Sequence, residues 1–292
     1  MTHSTEASGE GRWEPVTGPA RRIGAGWTAA LAVPPDHPFF FDHPLDHVSG
    51  MQTVCGLLEL AATAAGRADR ADRLVLDVRF PAMGALAEPT ELAVVPGGER
   101  GRWVLSARQA GTEICAGTLQ RVTGIPRPAG APVLTGAEPL CPGELVHRFD
   151  EHNIMLGVPV DGDEAITAPA APPRRGHYLA TGGSAFTVPS LVESGRQFAT
   201  VLEHWVAGWS YDTKMLWTTV HADLPAVPSG GGYAFRWTRE AMKGRKLVIA
   251  FDLLDGAGSV AGRFEYVSVS VSAAAYERFR SAQDRRTGGA AA

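Results

Sequence analysis

Two clusters of residues have the types and spacing to do chemistry. The first is "FFFDHPLDHVSGM", Phe39 to Met51, where Asp42-His43 and Asp46-His47 stand four residues apart directly before the apolar run "VCGLLELAATAA". A neutral imidazole near pH 7 polarises a carbonyl or moves a proton, and a neighbouring carboxylate fixes its tautomer. A loop ending in Ser-Gly ahead of a helix also offers free backbone N–H groups near Gly50, where a developing oxyanion is stabilised. The bland alternative is that Asp46 caps the helix and the histidines fill polar space under a loop.

The second cluster is "LVESGRQ", with Glu193 and Arg196 three apart and therefore on one helix face. As a surface ion pair it would contribute only about 0.2–0.5 kcal/mol and say nothing about function. Its flanks Leu191, Val192, Phe198, Val201 and Leu202 argue for a buried helix instead. There the Glu193 pKa is pushed up by burial and down by Arg196, which makes it a candidate general base, while Arg196 suits a phosphate or carboxylate.

Three further features carry both a functional and a structural reading. His177 in "PPRRGHYLATG" precedes the second helix much as His37 or His43 precedes the first, and Arg174 and Arg175 beside it fit an acidic carrier or a solvated turn equally well. Cys55 is a nucleophile if an N-terminal helical position lowers its pKa, and otherwise a small core residue. Trp205, Trp209 and Trp217 read as packing, with one of them available to wall an acyl tunnel.

The elements that must position these residues repeat. One helix-like run per half, "MQTVCGLLELAATAA" or "SLVESGRQFATVLEHWVAG", precedes strand-like segments. In the first half these are "RLVLDVRF", "TELAVV", "RWVLSARQ" and "EICAGTLQRV"; in the second, "KMLWTTVHADL", "YAFRWTRE", "KLVIAFDLL" and "VAGRFEYVSVSVS". Between them, Gly124 to Glu144 is dense in Pro and Gly and reads as a linker. "ICAGTLQRV" at Ile114 and "SVAGRFEYV" at Ser259 share Ala-Gly and a terminal Val at one offset of 145, so the halves read as diverged copies. A long apolar helix wrapped by its own antiparallel sheet is the hotdog arrangement, and two copies make an α+β double hotdog. The expected divisions are a flexible N-terminus at 1–23, hotdog domains at 24–124 and 144–280, a linker at 125–143 and a disordered tail at 281–292.

Composition narrows the partners. The 292 residues carry a formal net charge of -4 with no basic stripe, which argues against nucleic acid. No apolar run reaches the roughly 20 residues of a membrane span, and the N-terminus lacks a signal-peptide layout, so the expectation is a cytoplasmic protein without membrane contact. Cys55, Cys115 and Cys141 have no metal-type spacing and fit reduced thiols; no metal and no cofactor is expected. A double hotdog already contains a pseudo-dimer interface, so either a monomer or a homodimer is compatible with it.

With these motifs the chain resembles the A-factor biosynthesis (AfsA-like) double-hotdog family, the γ-butyrolactone synthases of actinobacterial signalling, from about Trp27 to Arg280. The carriers are "FFDHPLDHVSGM", close to the family's Phe-Asp-His-Pro-x-Asp-His-Val-Pro-Gly-Met block, and "VESGRQ", close to its Glu-x-x-Arg-Gln helix, supported by "LVHRFDEHNIMLG" and "YERFR". The resemblance implies an acyltransferase of secondary metabolism. Its substrates would be a β-ketoacyl thioester on acyl carrier protein or CoA and a small hydroxylated acceptor, dihydroxyacetone phosphate. Two departures stand out: the His-rich block, usual in the family's C-terminal half, comes first here, and Cys55 and Leu58 replace Glu and Arg in the first helix. One of two possible sites is therefore dismantled. The surviving one would combine catalytic Asp42, His43, Asp46, His47 and Glu193 with substrate-binding Gly50, Arg196, Gln197 and His177, the last facing the side of Cys55. His37 competes with His43 and His47 for the active position. A dehydratase, cyclase or thioesterase, or a noncatalytic acyl- or ligand-binding protein, are the alternatives.

Overall fold

The computed structural model describes residues 15–43, 45–66, 68–123, 139–180, 186–228, 231–272 and 274–278. The first half contains β1 (Arg21–Ile23), β2 (Gly26–Ala30), β3 (His47–Val48), α1 (Gly50–Ala65), β4 (Arg73–Arg79), β5 (Gly84–Ala85), β6 (Glu91–Pro96), β7 (Arg102–Gln109) and β8 (Thr112–Val122). The second contains α2 (Gly143–Val146), β9 (Val160–Asp161), β10 (Ala165–Pro169), α3 (Val188–Trp205), β11 (Lys214–Pro225), β12 (Tyr233–Thr238), β13 (Lys246–Asp255) and β14 (Val260–Val271). The eight expected strand segments are all strands. Each copy also opens with two strands ahead of its helix, β1–β2 and β9–β10, which the sequence reading lacks: "GWTAA" and "AITAP" are short and mostly small residues, with little β-branched or aromatic signal.

Twelve strands form one antiparallel sheet in the order β1-β2-β6-β7-β8-β4-β11-β14-β13-β12-β10-β9. The second six repeat the first six in mirror order, so the copies meet at β4 and β11, paired from Arg73↔Pro225 to Arg79↔Thr219. The Ala-Gly repeat has a physical cause. A Cβ on Gly117 would collide with the Asp77 carbonyl oxygen, and one on Gly262 would stand 2.5 Å from that of Asp223, so each copy brings its central strand pair too close for a side chain.

Alternation in the strands feeds a helix on one face: β7 buries Trp103, Leu105 and Ala107 and turns Val104 outward. Helix α1 packs against β2, β6 and β7, α3 against β11 and β14, and the helices touch each other. Both helices start at a capping box, Ser49 with Gln52 and Thr187 with Ser190. α3 is sealed by aromatic rings, Phe198 against Phe235 and Phe251, and by Tyr266, whose hydroxyl donates to the Val192 carbonyl at 2.9 Å.

Sheet structure begins at Arg21, and Val16 is fully buried, so the ordered first copy starts before residue 24. Residues 124–138 of the linker, 1–14 of the N-terminus and the tail from 279 lie outside the described residues. From 139 onward the chain is already packed, with Cys141 buried and Leu140 bridged to Gly157. No helix among the described residues is long and apolar enough to cross a membrane.

Candidate active site

The loop before α1 and the helix α3 come together, through a residue from neither cluster. Arg148, 7% exposed, follows α2 and lies under the loop. Its Nη1 donates to the Phe39 carbonyl at 2.8 Å and to Asp42 Oδ1 at 3.3 Å, and its Nε and Nη2 donate to Glu193 Oε1 at 3.0 and 2.7 Å. Arg196 holds the same carboxylate, Nε to Oε2 at 2.9 Å and Nη2 to Oε1 at 2.7 Å. Two carboxylates and two guanidiniums therefore alternate, Asp42–Arg148–Glu193–Arg196, with side chains between 0% and 12% exposed. Such a chain is stable because every charge is paired and hydrogen-bonded; removing one partner strands another.

Glu193 is fully buried. Burial would raise its pKa, but the charges of Arg148 and Arg196 and the hydrogen bonds from Arg196 and Gln197 hold it down to about 2. It is outside the lining of the main cavity. Its environment makes it the anchor of two arginines rather than a general base, because a carboxylate so strongly held does not accept a proton near neutrality. Gln197 is equally committed, donating to Glu193 Oε1 at 2.8 Å and the Asn153 carbonyl at 2.7 Å while accepting from Met155 N at 2.8 Å. It positions backbone, and it is fully buried outside the lining of the main cavity.

Asp42 and His43 form a dyad. Asp42 Oδ1 accepts from His43 Nδ1 at 2.8 Å, and Oδ2 accepts from Asn153 Nδ2 at 3.1 Å. Burial pushes the Asp42 carboxyl up, yet the His43 hydrogen bond, the Arg148 charge and the Asn153 amide leave it below the usual range. An ionised, acceptor-only Asp42 fixes a hydrogen on His43 Nδ1 and leaves Nε2 facing the other side. That ring is 31% exposed and lines a cavity of about 1370 Å³, larger than the roughly 300–1,000 Å³ of ordinary ligand pockets. Phe149, 79% exposed, stands edge-on to His43 at 5.9 Å.

The start of α1 opens into the same cavity. Ser49 Oγ accepts from Gln52 N, which leaves the N–H groups of Gly50 and Met51 without an acceptor among the described residues, and both residues line the cavity. A Cβ at Gly50 would stand 3.1 Å from the Trp217 ring, which packs over the helix start and is the tryptophan that walls the space; Trp205 and Trp209 are outside the lining. Beyond it the lining is apolar, with Phe80, Met83, Ile114, Leu216 and Val269. Arg196 also lines the cavity; its Nη1 has only a 3.5 Å contact with Thr200 Oγ1 and is the part of the guanidinium with capacity for a ligand.

Asp46 and His47 form a second pair on the cavity wall. His47 Nδ1 lies 2.8 Å from Asp46 Oδ1, and the Tyr276 hydroxyl from the closing "YERFR" segment reaches both, at 2.6 Å to Asp46 Oδ1 and 2.9 Å to His47 Nδ1. Asp46 is thus not the helix cap; Ser49 is. His37 and His177 are outside this cavity and adopt one local design. Each accepts at Nδ1 from the backbone N–H two residues on, Phe39 at 3.3 Å and Leu179 at 3.0 Å. His177 does not face Cys55: its Nε2 meets Asn153 Oδ1 at 3.0 Å, and burial, then Arg148, lower its pKa to about 4. It holds the loop that holds Asn153, and lines a separate small pocket of about 160 Å³ rather than the main cavity. Cys55 is buried and its pKa is raised well above the ordinary value by burial, then by Glu59 and Glu193, so it is a core residue.

Sequence reasoning missed Arg148 and Asn153 as members of the site. The signal was present in "LVHRFDEHNIML", where Arg148 lies between Val146 and Phe149 and Asn153 opens the apolar run Ile154 to Leu156, but no helical or strand period marks them as buried.

Residues 16–100 match the model of the A-factor biosynthesis hotdog domain. No curated protein matches the chain. Among solved structures, the dehydratase domain from the CurJ module of curacin polyketide synthase aligns with a TM-score of 0.62 at 12% identity, over 88% of this chain and 98% of that one. The dehydratase domain of RzxB from Pseudomonas fluorescens gives 0.62 at 12%, over 87% and 98%. The tesB protein of Mycobacterium avium subs paratuberculosis gives 0.58 at 12%, over 87% and 96%. At such identities the likeness is one of fold. The chain is an α+β double hotdog whose first copy matches the model of the A-factor biosynthesis hotdog domain.

Proposed function

We propose that this protein is an acyl-thioester-processing enzyme of natural-product metabolism, transferring an acyl group from a carrier thioester to a small hydroxylated acceptor. The observation that carries the reading is the convergence, on one large apolar-walled cavity, of the Asp42–His43 dyad and the N–H groups of Gly50 and Met51, which have no acceptor among the described residues. His43 Nε2 takes the proton of the acceptor hydroxyl as its oxygen bonds to the thioester carbonyl carbon. The N–H groups hold the oxyanion of the tetrahedral intermediate. The C–S bond then breaks, and the thiolate leaves with the proton carried by His43. Asp42 stays ionised and holds the imidazolium. Arg196 Nη1 is available to an anionic group on the acceptor, and the apolar walls to the acyl chain.

Dehydration is the second reading, favoured by the fold shared with polyketide synthase dehydratase domains. His43 would then take a proton next to the carbonyl, but the leaving hydroxyl needs an acid, and Glu193 is locked in ionised form. The test is mass spectrometry of the protein with a β-ketoacyl or, separately, a β-hydroxyacyl carrier-protein thioester, with and without dihydroxyacetone phosphate, beside His43→Ala. Acceptor-dependent appearance of an acyl phosphate ester, lost in His43→Ala, supports transfer. Acceptor-independent water loss from a β-hydroxyacyl thioester would replace it with dehydration, and tight binding without turnover would leave a binding protein.

A further inference from the structure

The cavity contains another histidine that this chemistry does not use. His147 ends α2 in the left-handed region, φ 52° and ψ 51°, a conformation uncommon outside glycine. The turn sends three successive residues to the site. The Val146 carbonyl accepts from Arg196 Nη2 at 2.9 Å, the His147 ring lines the cavity, and Arg148 grips Glu193. A strained residue kept at such a junction is a reason to ask what its side chain does.

Its hydrogen positions can be deduced. His204 on α3 is buried, with Nδ1 2.8 Å from the Trp209 carbonyl oxygen and Nε2 3.0 Å from His147 Nε2. A carbonyl only accepts, so His204 Nδ1 carries hydrogen. Both rings are neutral: burial, then Arg196, lower the His147 pKa to about 3, and burial lowers that of His204. His204 Nε2 therefore presents a lone pair, His147 Nε2 donates to it, and the hydrogen is absent from His147 Nδ1. That nitrogen has no protein partner among the described residues.

We infer that His147 is a substrate-contacting residue whose Nδ1, locked as an acceptor by His204 and the Trp209 carbonyl, receives a hydrogen bond from a hydroxyl of the non-acyl substrate. The inference rests on the acyl-transfer reading of the cavity for the identity of that substrate. The division of labour follows from chemistry. A ring this hard to protonate orients a hydroxyl without removing its proton, and removal falls to His43, the ring with a carboxylate behind it.

The test is NMR of the full chain with ¹⁵N-labelled histidine, using dihydroxyacetone phosphate as the probe. The expected result is an Nε2–H tautomer for His147, an Nδ1 resonance that moves on addition of the probe, and tautomer averaging in His204→Phe. His147→Asn places an amide oxygen near the Nδ1 position and tolerates the left-handed backbone, so probe affinity should stay within about threefold, whereas His147→Ala should weaken it about tenfold, the worth of one hydrogen bond. An Nδ1–H tautomer, an unmoved Nδ1 resonance, or His147→Ala binding the probe like wild type would overturn the inference. None of these readouts needs turnover: probe contact at His147 without acyl transfer would sustain the contact and remove the acyl-transfer reading alone.

Discussion

Helix α3 carries two buried glutamates with opposite responses to pH. Glu203 is 1% exposed, and its Oε1 and the nearby Ser268 Oγ lack hydrogen-bond partners among the described residues. Burial raises its pKa from 4.5 to about 7, against weaker pulls from Ser268 and the Arg196 charge. A carboxyl whose folded pKa lies above its unfolded one favours folding in its neutral form. That contribution is complete below pH 4.5 and is lost as pH rises through about 7. The difference between the two pKa values, at about 1.4 kcal/mol per unit, amounts to about 3 kcal/mol. Glu203→Gln is neutral and similar in shape, so it removes this slope. Urea unfolding of both proteins at about pH 5 and about pH 8 should show wild type losing about 3 kcal/mol more than the variant. Glu193 does not interfere, because its depressed pKa adds stability above 4.5 that is lost only as pH falls toward 2. The lowered histidines act equally in both proteins and cancel. Parallel pH profiles would refute the desolvation of Glu203.

Other perturbations test the remaining parts of the site. Glu193→Ala leaves Arg148 and Arg196 buried without their shared acceptor and should destabilise by about 3–5 kcal/mol in urea unfolding; a loss under about 1 kcal/mol would contradict the ion chain. His43→Ala should lower turnover by about 10²–10⁴-fold with an unchanged melting temperature, since the ring is part-exposed and, among the described residues, hydrogen-bonded only to Asp42. Cys55, Cys115 and Cys141 are all buried, with burial raising the latter two to about 12, so Ellman's reagent should label them only after denaturation. Gly117→Ala should lower the melting temperature sharply, because the added methyl meets backbone at the Asp77 carbonyl, whereas Gly98→Ala, with open space around it, should not.

The sequence made the repeat legible because its two halves face the same physical demand. The Ala-Gly pair marks a close strand approach in both, and the strands β7, β13 and β14 alternate strongly enough to be read. Strands β1, β2, β9 and β10 escaped because their pairing partners, not their composition, make them strands. The site was half legible. Asp42, His43 and Gly50 announce themselves by titratable density and position before a helix; His43 and Gly50 line the cavity, with Asp42 buried behind the imidazole. Glu193 and Arg196 were visible as a pair, but their roles depend on a third charge: with Arg148 on the same carboxylate oxygen, Glu193 becomes an anchor. That contact spans 45 residues and leaves no periodic trace.

The two helices differ in the charges they bury. Aligning the N-caps Ser49 and Thr187 sets Cys55 opposite Glu193, Leu58 opposite Arg196 and Glu59 opposite Gln197. The last pair still does one job in both copies: Glu59 accepts from the N–H groups of Val16 and Thr17 as Gln197 accepts from that of Met155. Both hold the incoming chain to the helix, a demand of the fold. The other two positions have parted. In α3 they carry the ion chain that fixes Arg196 beside the cavity. In α1 they are a buried thiol and a buried leucine, and Tyr178 from the opposite loop closes over them onto Glu59 at 2.5 Å. Duplication supplied two interfaces of helix and loop, but each extra buried charge needs a paired partner, and only one interface retains a full set. The proposed chemistry therefore belongs to the contact between copies: the dyad and the proposed oxyanion donors come from the first, the arginines and their anchor from the second, and the β4–β11 register keeps them in place.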